Sequence, residues 1–475
     1  MCWFAGGSFS DKKLLQKISY SLNKRAKWNT SHYVIDELSF FHAPLNITDT
    51  HLDTTQPYVS GKLVIGLVWE IYNKQYLLQL IGKDPNTDIS EIELIAECYT
   101  LLWTSFANYL NGEFIIFLFD KTYQKYYLFR DRYGVHTAYY TVEKGVFYFS
   151  SQMQDLCHVH SRDIHITHIQ GIMDYYMFWF SISPHTFIPN IFVVEPGSFI
   201  EFSNGNISTQ SLQPYIYQHP ERSFIQTLEQ SVIRRIPVSQ DKVFMPISGW
   251  ADSNLILYFL HKHFKWEIIA YTFSNTNNVR DVETARWNVK KYGLKHLIIP
   301  TSDLEESSFQ ENIWLHEGLV ELYNMSWELR QLYPEYCDVH VEFTWDGREE
   351  LLRRNDHYDY EKIQKRYEYL KAQRLTEEYS IDNDFLNLSM FDFNLQLIEK
   401  LTLWSLIERR LPFTDYELFR FSWYDNYTQE AKEFLKDQWI DIVEGIYGHN
   451  TWIYFRYFDT MEKILSSMRY FNMKI

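Results

Sequence analysis

Runs of apolar residues separated by short polar turns dominate the first third of the chain and predict a region rich in β-strands. The turn residues Asn111-Gly112 precede one of these runs. The predicted strands cover residues 63–69, 114–119, 126–129, 137–141 and 146–149. Residues 11–22 and 91–110 instead repeat apolar positions at helical spacing. Strands in series, with helices segregated from them, predict a layered α+β domain.

The pattern changes near residue 215, after which short apolar strands alternate with amphipathic helices. A helix is predicted at residues 223–234, and alternation then continues with strands at 243–247, 267–273 and 296–299 and helices at 252–263 and 281–292. Such alternation predicts an α/β domain with a parallel sheet and crossover helices. From about residue 358 the chain is predicted to be mainly helical. We therefore divide the chain into domains at 1–215 and 216–475.

Composition narrows the class of protein. The 475 residues are 46% hydrophobic and 18% aromatic, enough for two full-sized cores. A net charge of −16 argues against nonspecific nucleic-acid binding, which needs a cationic surface. Neither an apolar run long enough to span a membrane nor a signal peptide is visible, so we expect a cytoplasmic protein with no membrane partner. Four cysteines without a C-x-x-C pair are expected to be free thiols.

A polar turn lies between the predicted strand 243–247 and the helix that follows it. Its sequence, Ser248-Gly249-Trp250-Ala251-Asp252-Ser253, resembles the S-G-G-x-D-S loop of ATP pyrophosphatases. The resemblance implies that Ser248, Gly249 and Ser253 bind the phosphates of ATP, while Asp252 also binds Mg²⁺. Trp250 stands where the second glycine is expected. The structural alternative is a serine-rich turn that only caps a helix.

A second acidic segment points to the same chemistry. Residues 344–352, Thr-Trp-Asp-Gly-Arg-Glu-Glu-Leu-Leu, resemble the S-G-E-G-x-D-E-L-F segment of the same family. The resemblance implies catalytic roles for Asp346 and Glu350, nucleotide contact by Gly347 and metal binding by Glu349. Phe273, at the end of the second predicted parallel strand, is a further expected nucleotide contact. The structural alternative for the acidic run is a helix N-terminus whose dipole favours carboxylates.

The first half carries motifs of a different chemistry. A cysteine at position 2 becomes terminal once Met1 is removed, so that thiol nucleophile and amine base lie on one residue. Residues 129–140 resemble R-D-x-x-G-x-x-P-L-Y-Y without its proline. In the second half, residues 408–415 resemble E-x-R-x-P-F-L-D. Together these motifs resemble the glutamine-dependent asparagine synthetase family. That family joins an N-terminal-nucleophile glutaminase domain to an ATP pyrophosphatase-type synthetase domain.

The resemblance implies a glutaminase site in the first half, but several of its positions differ. Cys2 would attack the carboxamide of glutamine, and Glu70 and Glu91 would bind the substrate. Pro44 replaces the arginine that holds the glutamine carboxylate. Val68 and Trp69 replace the asparagine and glycine of the oxyanion site. Loss of one oxyanion donor typically costs about 10²–10³ in rate.

Three functional hypotheses remain open. The first is asparagine synthase-like amide formation, with ATP, Mg²⁺, a carboxylic acid and either glutamine or ammonia. The second is a lactam or macrolactam cyclase that acts on a precursor peptide and has an eroded glutaminase site. The third is a scaffold without catalysis, which Trp250 favours. A homodimer is left open as the assembly.

Overall fold

The computed structural model describes most of the chain, namely residues 3–25, 30–44, 56–159, 168–178, 181–274, 278–300, 321–322, 332–344, 360–372, 407–421, 427–442 and 455–456. Within these residues the first half forms antiparallel strands β1 to β12: Trp3–Gly7, Ser31–Ile35, Leu38–Ala43, Tyr58–Ser60, Leu63–Ile71, Gly112–Asp120, Lys125–Arg130, Tyr139–Glu143, Val146–Ser150, Phe192–Val193, Ser198–Ser203 and Asn206–Ser211. Its helices are α1 to α6: Lys12–Ile18, Tyr20–Arg25, Lys74–Leu80, Glu91–Leu102, Met153–Leu156 and Ile169–Phe178. Short 3₁₀ helices cover Trp103–Tyr109 and Cys157–Val159.

The strands of the first half make two stacked sheets. One has the order β10-β8-β9-β1-β3-β2 and the other β12-β11-β7-β6-β5-β4. Aromatic side chains join their facing surfaces: the ring of Phe117 on β6 lies 4.5 Å from that of Phe149 and 5.5 Å from that of Phe40. Gly66 on β5 is required here, because a Cβ atom would lie 2.3 Å from the Phe40 ring.

The outer faces of both sheets are covered by helices. Strand β6 is apolar throughout because Ile115, Phe117 and Phe119 face the other sheet, while its alternate residues contact α3 and α4 in a second core. Helices α1 and α5 cover the other sheet. The predicted layered α+β architecture of this half is confirmed.

Several details of the first half differ from the sequence-based prediction. The helix predicted at 11–22 is two helices, interrupted at Ser19, whose hydroxyl donates to the carbonyl oxygen of Leu15. The helix predicted to reach residue 110 ends at Leu102, since Trp103 has a φ of 56°. Strands β1, β2 and β3 were not predicted. The strand expected at 137–141 runs from Tyr139 to Glu143.

The second half is built on a parallel sheet. Its described strands β13 to β19 are Lys242–Pro246, Glu267–Ser274, Lys295–Pro300, Glu321–Leu322, Val341–Phe343, Glu408–Arg410 and Phe455–Arg456. Its described helices α7 to α11 are Phe224–Arg234, Ala251–His263, Val279–Lys291, Tyr360–Ala372 and Tyr427–Asp437. The 3₁₀ helices are Pro334–Tyr336, Pro412–Thr414 and Tyr416–Phe421.

The sheet order is β15-β14-β13-β17-β18, with every described pairing parallel. Strands β16 and β19 form a separate antiparallel pair. The predicted α/β class of the second half is confirmed. Among the helices that the structure describes, none combines the length and apolar content needed to cross a bilayer.

Candidate functional site

The polar turn at Ser248 lies where the order of strands in the parallel sheet reverses. The chain runs from β13 to β14 and β15 on one side, and continues with β17 and β18 on the other. The turn follows β13, so it opens between the carboxyl ends of β14 and β17. Ligands of doubly wound α/β folds bind in the crevice at this switch point. The fold therefore presents the turn at the expected ligand position.

Oxygen atoms of the protein satisfy three consecutive backbone N–H groups of the turn. The N–H of Ser248 donates to Ser253 Oγ at 3.2 Å, and that of Trp250 donates to Ser248 Oγ at 3.3 Å. The two serine hydroxyls lie 2.9 Å apart. Between them, the N–H of Gly249 donates to the Asp281 carboxylate. A phosphate can bind these N–H groups only by replacing these side-chain oxygens.

Asp281 is the member of this group that sequence reasoning did not assign to the site. It lies in the first turn of α9, 32 positions after Gly249 in the sequence. Burial raises the pKa of its carboxyl group, and the hydrogen bond from Gly249 works against that rise. The only indication in the sequence is weak, namely an acidic residue near the start of a predicted helix.

Trp250 fits the turn without backbone strain. It is the N-cap residue of α8, with a φ of −86° and a ψ of 158°, a conformation open to any L-residue. Its indole makes no capping hydrogen bond to the helix, since an indole N–H can only donate. The first-turn N–H groups of α8 therefore receive no side-chain cap from this residue. This arrangement suits an anion at the helix N-terminus.

Of the other residues predicted to bind nucleotide or metal, the structure describes only Asp252 and Phe273. Asp252 lies in the first turn of α8 and is 5% exposed. Phe273 is buried beside Tyr271, their rings 5.6 Å apart, and its carbonyl oxygen accepts a hydrogen bond from Asn278. The remaining residues, Asp346, Gly347, Glu349 and Glu350, lie outside the described residues.

The strand that precedes the acidic segment nevertheless lies beside the strand that leads into the turn at Ser248. Strand β17 is the direct neighbour of β13, with Glu342 paired to Phe244, and it ends at Phe343. Thr344 follows and donates its N–H to the carbonyl oxygen of Arg410. Thr344 thus lies at the same carboxyl edge of the sheet as the turn at Ser248.

The described donors are compatible with magnesium but do not form a complete cage. Asp252 supplies a hard carboxylate oxygen next to the turn, which is the kind of ligand that Mg²⁺ prefers. Among the described residues, no three acidic, histidine or cysteine side chains form a metal-binding group. A magnesium ion at Asp252 would therefore depend on phosphate oxygens and water for most of its ligands.

A second set of charged side chains connects the two halves of the chain. Glu70, predicted to bind substrate, is 7% exposed and pairs through both carboxylate oxygens with Arg410 on β18. Arg410 also pairs with Glu408 on its own strand. Burial alone would lower the pKa of Arg410, but the carboxylates of Glu408 and Glu70 raise it well above its usual range.

Arg235, at the C-terminal end of α7, makes a parallel set of contacts. Its guanidinium donates to Glu113 on β6 at 3.0 Å and to Asp415 at 3.3 Å, and lies 4.1 Å from the ring centre of Tyr72. Arg234 also pairs with Asp415, at 3.1 Å. We call Glu70, Glu113, Arg235, Glu408, Arg410 and Asp415 the interdomain network. Sequence reasoning missed the contacts of Arg235 with Glu113 and of Arg410 with Glu70, because these partners lie 122 and 340 positions apart.

The position of the oxyanion glycine in the resembling family is occupied by a buried tryptophan. Trp69 adopts a φ of 81°, a left-handed conformation that costs a non-glycine residue about 1–3 kcal/mol. Its ring centre lies 3.9 Å from that of His136. Glu91 lies in the first turn of α4, which Ser90 caps. Cys2 lies outside the described residues, immediately before β1.

Comparisons with known proteins agree with this architecture. A family model described as a glutamine amidotransferase domain matches residues 1–216. The chain is 23% identical to the glutamine-hydrolysing asparagine synthetase 2 of Bacillus subtilis over 331 residues, which cover 64% of this chain and 44% of that protein. It is also 23% identical over 434 residues to a probable asparagine synthetase of Acanthamoeba polyphaga mimivirus, covering 84% and 72%.

Among solved structures, the glutamine phosphoribosylpyrophosphate amidotransferase of B. subtilis matches with a TM-score of 0.34 and 9% identity, over 63% of this chain and 90% of that chain. The chain spans less than half of the length of its B. subtilis synthetase relative. The domain match and the synthetase relatives define what the chain resembles: residues 1–216 match a glutamine amidotransferase domain, and the chain is similar to glutamine-hydrolysing asparagine synthetases.

Proposed function

We propose that this protein forms amide bonds from a carboxylic acid and an amine, and that it activates the acid with ATP as an acyl-adenylate. One observation carries the proposal: the Ser248–Ser253 turn and the N-terminal end of α8 lie together at the switch point of a parallel sheet. The similarity to asparagine synthetases supports the same chemistry.

The proposed reaction has two steps. An oxygen of the substrate carboxylate attacks the α-phosphorus of ATP, and pyrophosphate leaves. The amine nitrogen then attacks the carbonyl carbon of the adenylate, AMP leaves with the bonding electron pair, and the nitrogen loses a proton. The hydroxyls of Ser248 and Ser253 and the N–H of Gly249 would hold the phosphates in line, while Asp252 would hold the metal. Magnesium, when bound, would neutralise charge on the departing pyrophosphate.

Pyrophosphate exchange tests the first step. Labelled pyrophosphate should enter ATP only when the correct acid from a panel of carboxylic acids, including aspartate, is present. Asp252→Asn and Ser253→Ala should each slow exchange by about 10²-fold or more, because each removes a group that stabilises phosphate charge. Asp241→Asn, at an exposed position before β13, is the matched control and should leave exchange unchanged.

The same measurement can contradict the proposal. An absence of exchange with every acid, together with no rise in melting temperature at millimolar MgATP, would favour the scaffold hypothesis.

Trp69 favours a second candidate, in which the amine does not come from glutamine. The indole lies where the resembling family has its oxyanion glycine, and it packs on His136. Such a site would hydrolyse glutamine poorly. This is expected for a cyclase, because the amine that it uses belongs to its substrate, a precursor peptide. In that case Cys2→Ala should leave amide formation with an added amine or ammonium unchanged. Rapid release of ammonia from glutamine that Cys2→Ala abolishes would instead establish glutamine as the donor.

A further inference from the structure

Two buried asparagines lie directly beneath the turn at Ser248. Asn254 is 1% exposed, and its amide nitrogen donates to the carbonyl oxygens of Ser248 and Trp250, at 2.9 and 2.7 Å. These bonds turn two carbonyl groups of the turn towards the protein interior. The carbonyl groups are therefore directed away from any anion that the turn receives.

Asn288 on α9 extends this contact to a distant part of the chain. It is fully buried, and its amide nitrogen donates to Asn254 Oδ1 at 2.9 Å. The same side chain binds both backbone groups of Asp441: it donates to the carbonyl oxygen at 2.6 Å and accepts from the N–H at 3.1 Å. The turn is thus linked through two side chains to the segment that follows α11.

We propose that Asn254 and Asn288 are positioning residues that make triphosphate binding at the turn and anchoring of the segment at residues 440–442 mutually dependent. The proposal rests on the proposed function, because it takes the turn to be the phosphate site. The hydrogen bonds run in series, so any ligand that fixes the turn also fixes Asn254, Asn288 and Asp441. Buried polar groups that lose a partner are costly, so the turn and the segment should hold or loosen together.

Hydrogen exchange at the backbone amide of Asp441 tests the coupling in the full-length protein. MgATP should slow this exchange in the parent protein, although Asp441 belongs to a different element from the turn. In Asn254→Ala the exchange should be faster without ligand, and saturating MgATP should no longer slow it. Asn288→Ala should give the same result. Asn254→Ser, a milder change, serves if either alanine variant fails to fold.

Affinity provides a second readout. Both alanine variants should weaken MgATP binding by roughly tenfold, because the turn loses its internal bonds. The matched control is Gln56→Ala: Gln56 is a buried amide that brackets the backbone of Leu67 in the first half, with both bonds at 2.8 Å. This control should lose stability without any change in MgATP affinity or in exchange at Asp441.

The outcomes separate this inference from the proposed function. Nucleotide binding by the parent without slower exchange at Asp441 would overturn the coupling and leave the proposed function intact. The coupling would also be overturned if Asn254→Ala behaved like the parent in both measurements. A parent protein that binds no MgATP would overturn the coupling and the proposed function together.

Discussion

His42 is a buried imidazole near the C-terminal end of β3. Its register places it opposite Phe4 on β1 and Ser31 on β2. Burial lowers the pKa of His42 to about 3, because a charged imidazole cannot be solvated there. In the described part of the chain, its Nε2 atom has no hydrogen-bond partner.

We expect this residue to make the protein sensitive to acid. Below pH 6.5 the unfolded chain takes up a proton at His42, but the folded protein does not until about pH 3. The free energy of unfolding should therefore fall as the pH drops through this window, by about 1.4 kcal/mol per pH unit from this group. His42→Phe should remove that contribution, as measured by urea unfolding between pH 6.5 and 4. If the unfolding free energy of His42→Phe depends on pH as steeply as that of the parent, His42 is not the source of the acid sensitivity.

The ion pair between Arg410 and Glu70 gives a prediction about stability. Arg410→Met leaves two carboxylates, Glu70 and Glu408, buried without their cation, and should cost about 3–5 kcal/mol. Glu70→Gln should cost less, since Glu408 still pairs with Arg410. Lys83→Met is the matched control because its 2.6 Å pair with Glu97 is exposed, and it should change the unfolding free energy by less than about 1 kcal/mol. Equal effects of the buried and exposed changes would rule out this account.

At the scale of single elements, the C-terminal end of α7 brings Arg235 to Glu113 of the first half and Arg234 to Asp415. Its start is fixed by a capping box, in which Ser223 Oγ accepts from the N–H of Gln226 at 3.2 Å and the Gln226 side chain accepts from the N–H of Ser223 at 3.0 Å. The sequence was sufficient to place this helix, because the serine and the apolar spacing are both local features.

The cap should have a measurable effect. Ser223→Ala removes the side-chain acceptor for the N–H of Gln226 and should lower the free energy of unfolding by about 1 kcal/mol. Thermal unfolding of this variant can be compared with Ser208→Ala, at an exposed position on β12 where we expect almost no change. A null result in both variants would show that tertiary contacts alone hold the start of α7.

A helix, strand or turn could be predicted wherever the residues that determine it are close together in the sequence. The polar turn was placed correctly between β13 and α8 because strand, turn and helix are contiguous in sequence. The break at Trp103 was not predicted, since a left-handed tryptophan is set by tertiary packing. The bond from Gly249 to Asp281 and the pair Asn254–Asn288 were also out of reach, because nothing in one sequence indicates which polar residues meet across 32 or 34 positions.

For the molecule as a whole, the interdomain network is the main departure from a simple two-domain description. Tyr416 adds to it: its hydroxyl donates to the carbonyl oxygen of Gly112 and accepts from the N–H of Arg132. Asn111 donates to Asp415 at 2.9 Å. These contacts between the halves are polar and mostly buried, and we expect the two domains to unfold as one unit.

Calorimetry of the full chain tests this expectation. The parent should show one cooperative transition, and Arg235→Met should divide it into two, because Glu113 loses its cation at the contact. Lys125→Met, which breaks a 2.6 Å pair with Glu201 inside the first domain, should keep a single transition. Two separate transitions in the parent would show that the network does not couple the domains.

The partners of Arg410 also limit how such proteins can be recombined. The guanidinium belongs to the second half by sequence, but one of its two carboxylates belongs to the first. In a chimera joined near residue 216, Glu70 near the end of β5 would therefore come from one parent and Arg410 from the other. Exchange of the N-terminal half between relatives should succeed only when residues 408–416 are transplanted along with it.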